Sequence, residues 1–325
     1  MRRGLLALLL LGLGPALSAS AETAAKPYVE KAPARGFHLF NRPKKKGPEA
    51  QWEYVQTLER AGKLRATANQ ALALRLFWPH SAQAPEAQLL LARTLERRGH
   101  LLAAFDAYQY LLEHYIGRFE FNEVLDRQRQ IAKTVMDQKK GRFLFLPGFD
   151  APERAIPLYE KIVASAPEGR DTPELYYLIG DDNERIYEYD KAIEAYFTAL
   201  NRFPKSEFAE KSAYAQSQCH IKISNDAPND NRALDTARAA CVLFLQRYPD
   251  TPHRADVEAD IALLRDRQAK NSYELARYYD LILRKPAAAL IEYQNFVALF
   301  PEAAQAPAAR LRLAQLQSPP ETPEN

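Results

Sequence analysis

Between Pro173 and Pro204 the chain carries two apolar stripes divided by a short break, and this spacing constrains the fold more than any other stretch. The first stripe holds Tyr176, Ile179 and Gly180. After Glu188-Tyr189-Asp190 the second holds Ala192, Tyr196 and Ala199, and Pro204 closes it. Apolar residues three and four apart mark one face of a helix, so the stretch reads as two short helices folded back on each other. Gly180 and Ala192 are small enough for the helices to approach closely, and Tyr196 is large enough to fill the space towards the next pair. Pro204 ends the second helix because it has no N–H to give. One such pair cannot bury its own stripe, so copies must flank it.

Copies are present. Ala, an aromatic four residues on and Pro eight further recur as Ala155, Tyr159, Pro167 and as Ala289, Tyr293, Pro301. Ala237, Cys241 and Pro249 repeat the pattern with cysteine in the aromatic slot, Ala104 and Tyr108 repeat it with Ile116 in place of proline, and a weaker copy ends at Trp78-Pro79. A helix–turn–helix of roughly 34 residues with this signature is the tetratricopeptide repeat. Only 12 glycines and no run of alternating apolar residues argue against a sheet. The expected fold is therefore all-α: a solenoid over residues 49–317, of about five to six helix pairs with a C-terminal capping helix. Its one continuous core overrides the two domains that 325 residues would otherwise suggest. The expected pairs are 49–61 with 64–78, 86–97 with 101–115, 119–140 with 152–164, 172–187 with 189–203, 207–223 with 232–248 and 253–283 with 286–300. Residues 304–317 form the expected cap.

The ends of the chain read differently. Arg2 and Arg3, the apolar run Leu5–Leu13, and Ala19-Ser20-Ala21 form a secretory signal over residues 1–21. The apolar run is far short of the roughly 20 residues that a membrane span needs. Residues 22–48 read as a tether, broken by Pro27, Pro33, Pro43 and Pro48 and carrying the solvated run Lys44-Lys45-Lys46, with Phe37, Leu39 and Phe40 able to dock on the first pair. Residues 318–325, S-P-P-E-T-P-E-N, read as a disordered tail. Without Arg2 and Arg3 the formal charge of +3 becomes +1, and a near-neutral solenoid lacks the field of a nucleic-acid binder.

The residues offer no catalytic constellation and imply no cofactor. The six histidines are scattered, and neither HExxH nor a Cys-rich metal spacing occurs. Asp181-Asp182 is expected as a solvated acidic edge rather than a metal site. The stretch 143–149, F-L-F-L-P-G-F, is unusually apolar and is expected to fold back on the solenoid or to protrude towards a partner. Cys219 and Cys241 fall on the two helices of one pair, which allows either a disulfide or two buried thiols. The remaining functional surface is the concave wall of first helices. The register of Gly180 puts Tyr177, Asp181, Glu184 and Arg185 on it, and the same register with Ala92 in the glycine slot adds Leu89, Arg93, Glu96 and Arg97. Such mixed walls hold extended peptides or partner helices.

The C-terminal third adds a resemblance. Arg247-Tyr248-Pro249, then Leu264, Asp266 and Arg267, then Tyr273, Ala276, Tyr278 and Tyr279 stand in the order and spacing of BamD, the repeat lipoprotein of the outer-membrane β-barrel assembly machine. Residues 119–170 exceed that family's usual pattern. The resemblance implies that the C-terminal repeats bind a BamA-like barrel protein and other assembly-machine subunits, and that the N-terminal repeats receive unfolded outer-membrane proteins. It puts Arg265, Asp266, Arg267 and Tyr273 towards the partner, with Arg267→Leu or Asp266→Ala expected to weaken binding at little cost in fold. At least one of Tyr278 and Tyr279 is expected to pack between repeats. In the family a lipidated Cys follows the signal. Here Leu17-Ser18-Ala19 is followed by Ser20, which cannot carry a thioether-linked lipid. The expectation is a non-enzymatic periplasmic scaffold of barrel assembly, peripheral at the inner face of the outer membrane and held there only through its partners. The alternative is a general periplasmic repeat adaptor for envelope or peptidoglycan machinery.

Overall fold

A computed structural model describes residues 41–138 and 152–317. The expected signal, residues 22–40 of the tether, the apolar stretch 143–149 and the tail lie outside the described residues. Pro43–Asn325 forms one compact unit, and every regular element among its described residues is helical. Six antiparallel pairs follow one another: α1 (Pro48–Arg60) with α2 (Leu64–Phe77), α3 (Ala84–Arg97) with α4 (Leu101–His114), and α5 (Phe121–Asp137) with α6 (Ile156–Ser165). Next come α7 (Thr172–Arg185) with α8 (Tyr189–Arg202), α9 (Phe208–Asp226) with α10 (Asn231–Arg247), and α11 (Arg254–Arg277) with α12 (Pro286–Leu299). α13 (Ala306–Gln317) packs on α12. Each helix packs chiefly on its neighbours in sequence, which is the one-dimensional contact pattern of a solenoid.

Local chemistry sets the boundaries. Pro157 lies in the first turn of α6, where a missing N–H leaves no bond unmade. That helix therefore starts at Ile156, after a 3-10 turn at Pro152–Arg154, rather than at Pro152. Two pairs turn on glycines in the left-handed region, Gly62 (φ 67°) and Gly99 (φ 75°), where side chains other than glycine are disfavoured. In both, the next N–H reaches back five residues: Lys63 N to Leu58 O at 3.0 Å and His100 N to Leu95 O at 3.0 Å. This is the Schellman closure of a helix end. The α7–α8 turn makes the same bond, Glu188 N to Asn183 O at 2.9 Å, but with Tyr187 at φ 64°. The tether's end is also fastened. Gln51, fully buried on α1, accepts the backbone N–H groups of Lys44 and Lys45 at 3.0 Å and donates to Gln70 O on α2 at 3.1 Å. The three lysine side chains stay in solvent.

The core is built from the aromatic slots. Tyr108, Tyr159, Tyr196 and Tyr293 are each at most 2% exposed, and Cys241 fills the equivalent place on α10. Gly180 shows why the slot needs a small partner. A Cβ there would stand 2.4 Å from Tyr196 Cε1 and 2.6 Å from Cδ1, well inside van der Waals contact. Apolar clusters run along the stack, from Val55 to Ala195 through the first four pairs, then from Leu200 to Leu264 and from Ala269 to Ala309. Ala192, Tyr196 and Cys219 join α8 to α9. The last two large clusters meet on α11. Its first half, with Val257 and Leu264, packs towards α10, and its second half, with Ala269 and Ala276, packs towards α12. The helix continues as a π-turn, Tyr278–Ile282.

Two substitutions on one pair should have opposite signs. Gly180→Ala forces the Tyr196 ring out of place and is expected to cost about 1–3 kcal/mol. Tyr187→Gly removes a left-handed penalty of about 1 kcal/mol from a side chain 79% exposed. Urea midpoints followed by circular dichroism should fall for the first and rise for the second. An unchanged Gly180→Ala midpoint contradicts the close approach.

Candidate functional site

The first helices of neighbouring pairs touch, α1 with α3 and α7 with α9, and charged side chains bridge them. Arg93 Nη2 on α3 pairs with Glu123 Oε1 on α5 at 2.7 Å. Glu96 Oε2 accepts the Tyr108 hydroxyl at 2.9 Å, and its other oxygen lies 3.5 Å from Arg127 Nη1. Glu184 repeats the arrangement. Its Oε2 accepts the Tyr196 hydroxyl at 3.0 Å and the Cys219 thiol at 3.4 Å, while Oε1 takes the Lys222 ammonium. Asp280 makes a third copy. Its Oδ2 accepts the Tyr293 hydroxyl at 3.3 Å, and Arg312 grips both oxygens at 2.7 and 2.8 Å.

In each latch the acid comes from the first helix of a pair and the hydroxyl from its second helix. The cation comes from α5, α9 or α13, the helix that opens the next unit. The acid precedes the tyrosine by 12 residues twice and by 13 at Asp280, the added residue being the one that the π-turn inserts. Burial, reinforced by the carboxylates, raises the Tyr108 and Tyr196 hydroxyls far above the usual range. Burial likewise pushes Tyr293 up to about 12, with Asp280 adding to it. The hydrogen bonds from Arg312 hold Asp280 below the usual carboxylate range. Glu96 and Glu184, expected on the wall, thus also bond within the chain.

The other expected wall residues divide. Arg97 and Arg93 are exposed, and Leu89 is half-buried against the N-terminal core. Tyr177 is wedged, its ring 5.7 Å from both Tyr196 and Phe208. Arg185 Nη1 lies 3.4 Å from Met136 Sδ and 3.6 Å from Asp182 Oδ1. The solvated edge expected at Asp181-Asp182 is corrected. Asp181 is half-buried, and Asp182 is 2% exposed, with Oδ2 lacking any hydrogen-bond partner. The neighbouring Tyr159 hydroxyl is also buried without a partner. Burial, with Asp181 and Asp137 adding to it and Arg185 opposing, pushes the Asp182 carboxyl up to about 7.

On α11, Arg265 and Asp266 are exposed, and Arg265 lines a cavity of about 350 Å³ with Asp235, Arg238 and Phe300. Arg267 is half-buried. Its Nη1 donates to Asn225 Oδ1 at 2.7 Å and its Nη2 to Ser224 O at 2.8 Å. Gln268 Nε2 donates to Asp235 Oδ1 at 2.6 Å, and Asn271 Nδ2 to Pro228 O at 3.0 Å. These side chains fasten the connection between α9 and α10, so Arg267→Leu would loosen the fold as well as change the surface. Tyr273 is half-buried. It packs in the C-terminal core, its ring 6.1 Å from Tyr293 and 5.4 Å from Phe296. Tyr279 joins the same core, while Tyr278 is exposed.

The sequence reading missed the exposed apolar end of this pair: Leu275, Tyr278, Leu281, Ile282 and Leu283, with Ile291 on α12. The signal was the unbroken run Leu281-Ile282-Leu283, for which a helix with one buried stripe has no use. Cys219 and Cys241 are both buried and free. Burial raises both thiols, that of Cys241 to about 12. Among the described residues no group of His, Cys, Asp and Glu is placed to hold a metal, and no helix is long and apolar enough to cross a membrane.

Comparison with known proteins adds one strong match. The family model YfiO, outer membrane lipoprotein, matches residues 154–318. No curated protein matches. Among solved structures, the C-terminal part of a TPR repeat-containing protein from Cytophaga hutchinsonii is 17% identical, with 82% of this chain and 88% of that one covered and a TM-score of 0.32. A tetratricopeptide repeat protein from Parabacteroides merdae is 14% identical, with 83% and 99% covered and a TM-score of 0.30.

Asp182 predicts a pH dependence. An unfolded aspartate ionises near pH 4, whereas the folded one keeps its proton to about 7. Stability should therefore fall as pH rises from about 4 to 7 and then level off. Asp182→Asn is expected to remove this slope and to be more stable at pH 8 by roughly 2–4 kcal/mol. Parallel urea curves for the two proteins across that range would refute a buried carboxyl that keeps its proton on folding.

Proposed function

The chain belongs to the YfiO outer membrane lipoprotein family, and on that premise we propose that it is a non-catalytic repeat scaffold of the periplasm that serves the assembly of β-barrel outer-membrane proteins. The observation that supports this most is the apolar end of α11 and α12. Leu281 and Ile282 are 53% and 68% exposed, side by side with Tyr278 and Leu283 on one turn. Contiguous exposed apolar surface of this kind marks protein–protein contacts. Exposed Arg265 and Asp266 stand further up the same helix and supply the polar rim that such contacts carry. This end would dock a BamA-like barrel protein.

The wall of first helices would hold unfolded outer-membrane protein segments, through exposed groups such as Arg93 and Arg97. The latches suit that task, since they fix the curvature of the wall before a segment arrives and so lower the ordering cost of binding.

Leu281→Glu with Ile282→Glu tests the docking end. Both side chains are exposed, so helicity and the urea midpoint should be unchanged, while co-elution of the barrel protein from solubilised envelopes should fall at least tenfold. Undiminished co-elution by the normally folded variant removes the docking assignment. Absence of any barrel protein from the wild-type eluate favours the general envelope adaptor.

A further inference from the structure

A second candidate surface lies where α8, α9 and α10 meet. α9 packs on both α8 and α10, and the three helices line a groove of about 580 Å³. Its walls carry Phe197 on α8 and Leu243 on α10, apolar side chains left 56% and 63% exposed. Between them the lining includes the small residues Ala213, Ala239 and Ala240. Along α10 the lining runs from Thr236 to Arg247, which at 1.5 Å per residue is about 16 Å, or three helical turns.

We propose that this groove binds an amphipathic α-helix of another polypeptide, with its apolar face on the alanines and an acidic side chain at Arg247. Two features select that occupant. Walls made of helices offer no free backbone edge, so an extended peptide would leave its own N–H and C=O groups unpaired against apolar side chains. A helix satisfies them internally, and small residues between bulky ones accept its ridge of side chains. The charge is also one-sided. No acid lines the groove, and Arg247 is its one formally charged residue, because His220, the other ionisable group there, is kept towards its neutral form by burial.

The test uses the full chain and three fluorescein-labelled 14-residue peptides. Each has a leucine and alanine face, and they carry a glutamate polar face, a lysine polar face, or the glutamate face with a central proline. In anisotropy titrations the glutamate helix should bind at least tenfold more tightly than the other two. Leu243→Ser, at an exposed position, and Ala240→Trp, which fills the lining, should each weaken it at least tenfold. Arg247→Glu should abolish the preference for glutamate over lysine. Equal binding of the proline or lysine peptide overturns the proposal, as does binding that survives both Leu243→Ser and Ala240→Trp. Two other occupants would also overturn it: a self-association that Ala240→Trp abolishes, or retention on phosphatidylglycerol vesicles that Leu243→Ser abolishes. Co-elution of the barrel protein, measured on the same variants, should be unchanged, which separates this groove from the docking end of α11 and α12.

Discussion

Everything in this chain depends on a tyrosine seated against a small residue. Gly180 has no room for a single methyl group beside Tyr196, and that contact sets the distance between two helices too short to stand alone. The tyrosine then does a second thing. Its hydroxyl emerges at the seam with the next pair, where Glu184 accepts it and Lys222 in turn donates to Glu184. One residue therefore closes its own pair and latches the following one. A buried carboxylate of this kind is tolerable because a hydroxyl and a cation both satisfy it, whereas an unpaired one would cost several kcal/mol.

Asp182 and Tyr159 show the contrast. They lie at the seam between the third and fourth pairs, and both bury a polar atom without a partner. The latch is present at Tyr108, Tyr196 and Tyr293 but absent here, and the carboxyl answers by holding its proton. The stack is therefore not uniformly fastened. This unlatched seam lies beside the residues at which the family match begins.

The solenoid was legible because its signal is periodic and local: Ala, aromatic and Pro at fixed steps require only one helix to be understood. The latches were half legible. Glu96 and Tyr108, like Glu184 and Tyr196, stand 12 apart in plain view, but the cation lies 31 or 38 residues beyond the acid, across connections of unequal length. The third copy was masked by the π-turn, which shifts Asp280 out of register by one. Burial of Asp182 could not be read at all, since its own helix offers a solvent-like sequence. The contacts that Tyr273 and Arg267 make within the chain were hidden for a related reason. A tyrosine or arginine on a long helix reads as surface until the helix is known to serve two cores.

That division of α11 gives the family's motif a physical meaning. The apolar core changes hands between Leu264 and Ala269, and the four residues between them are Arg265, Asp266, Arg267 and Gln268. Two of the four, with Asn271, turn inward to hold the α9–α10 connection, and the other two face solvent. Where the helix leaves one core for the other, these polar side chains fasten it to its neighbours. The motif that resembles the family is thus first a joint. It joins the last pair, with its exposed Leu281 and Ile282, to the rest of the stack.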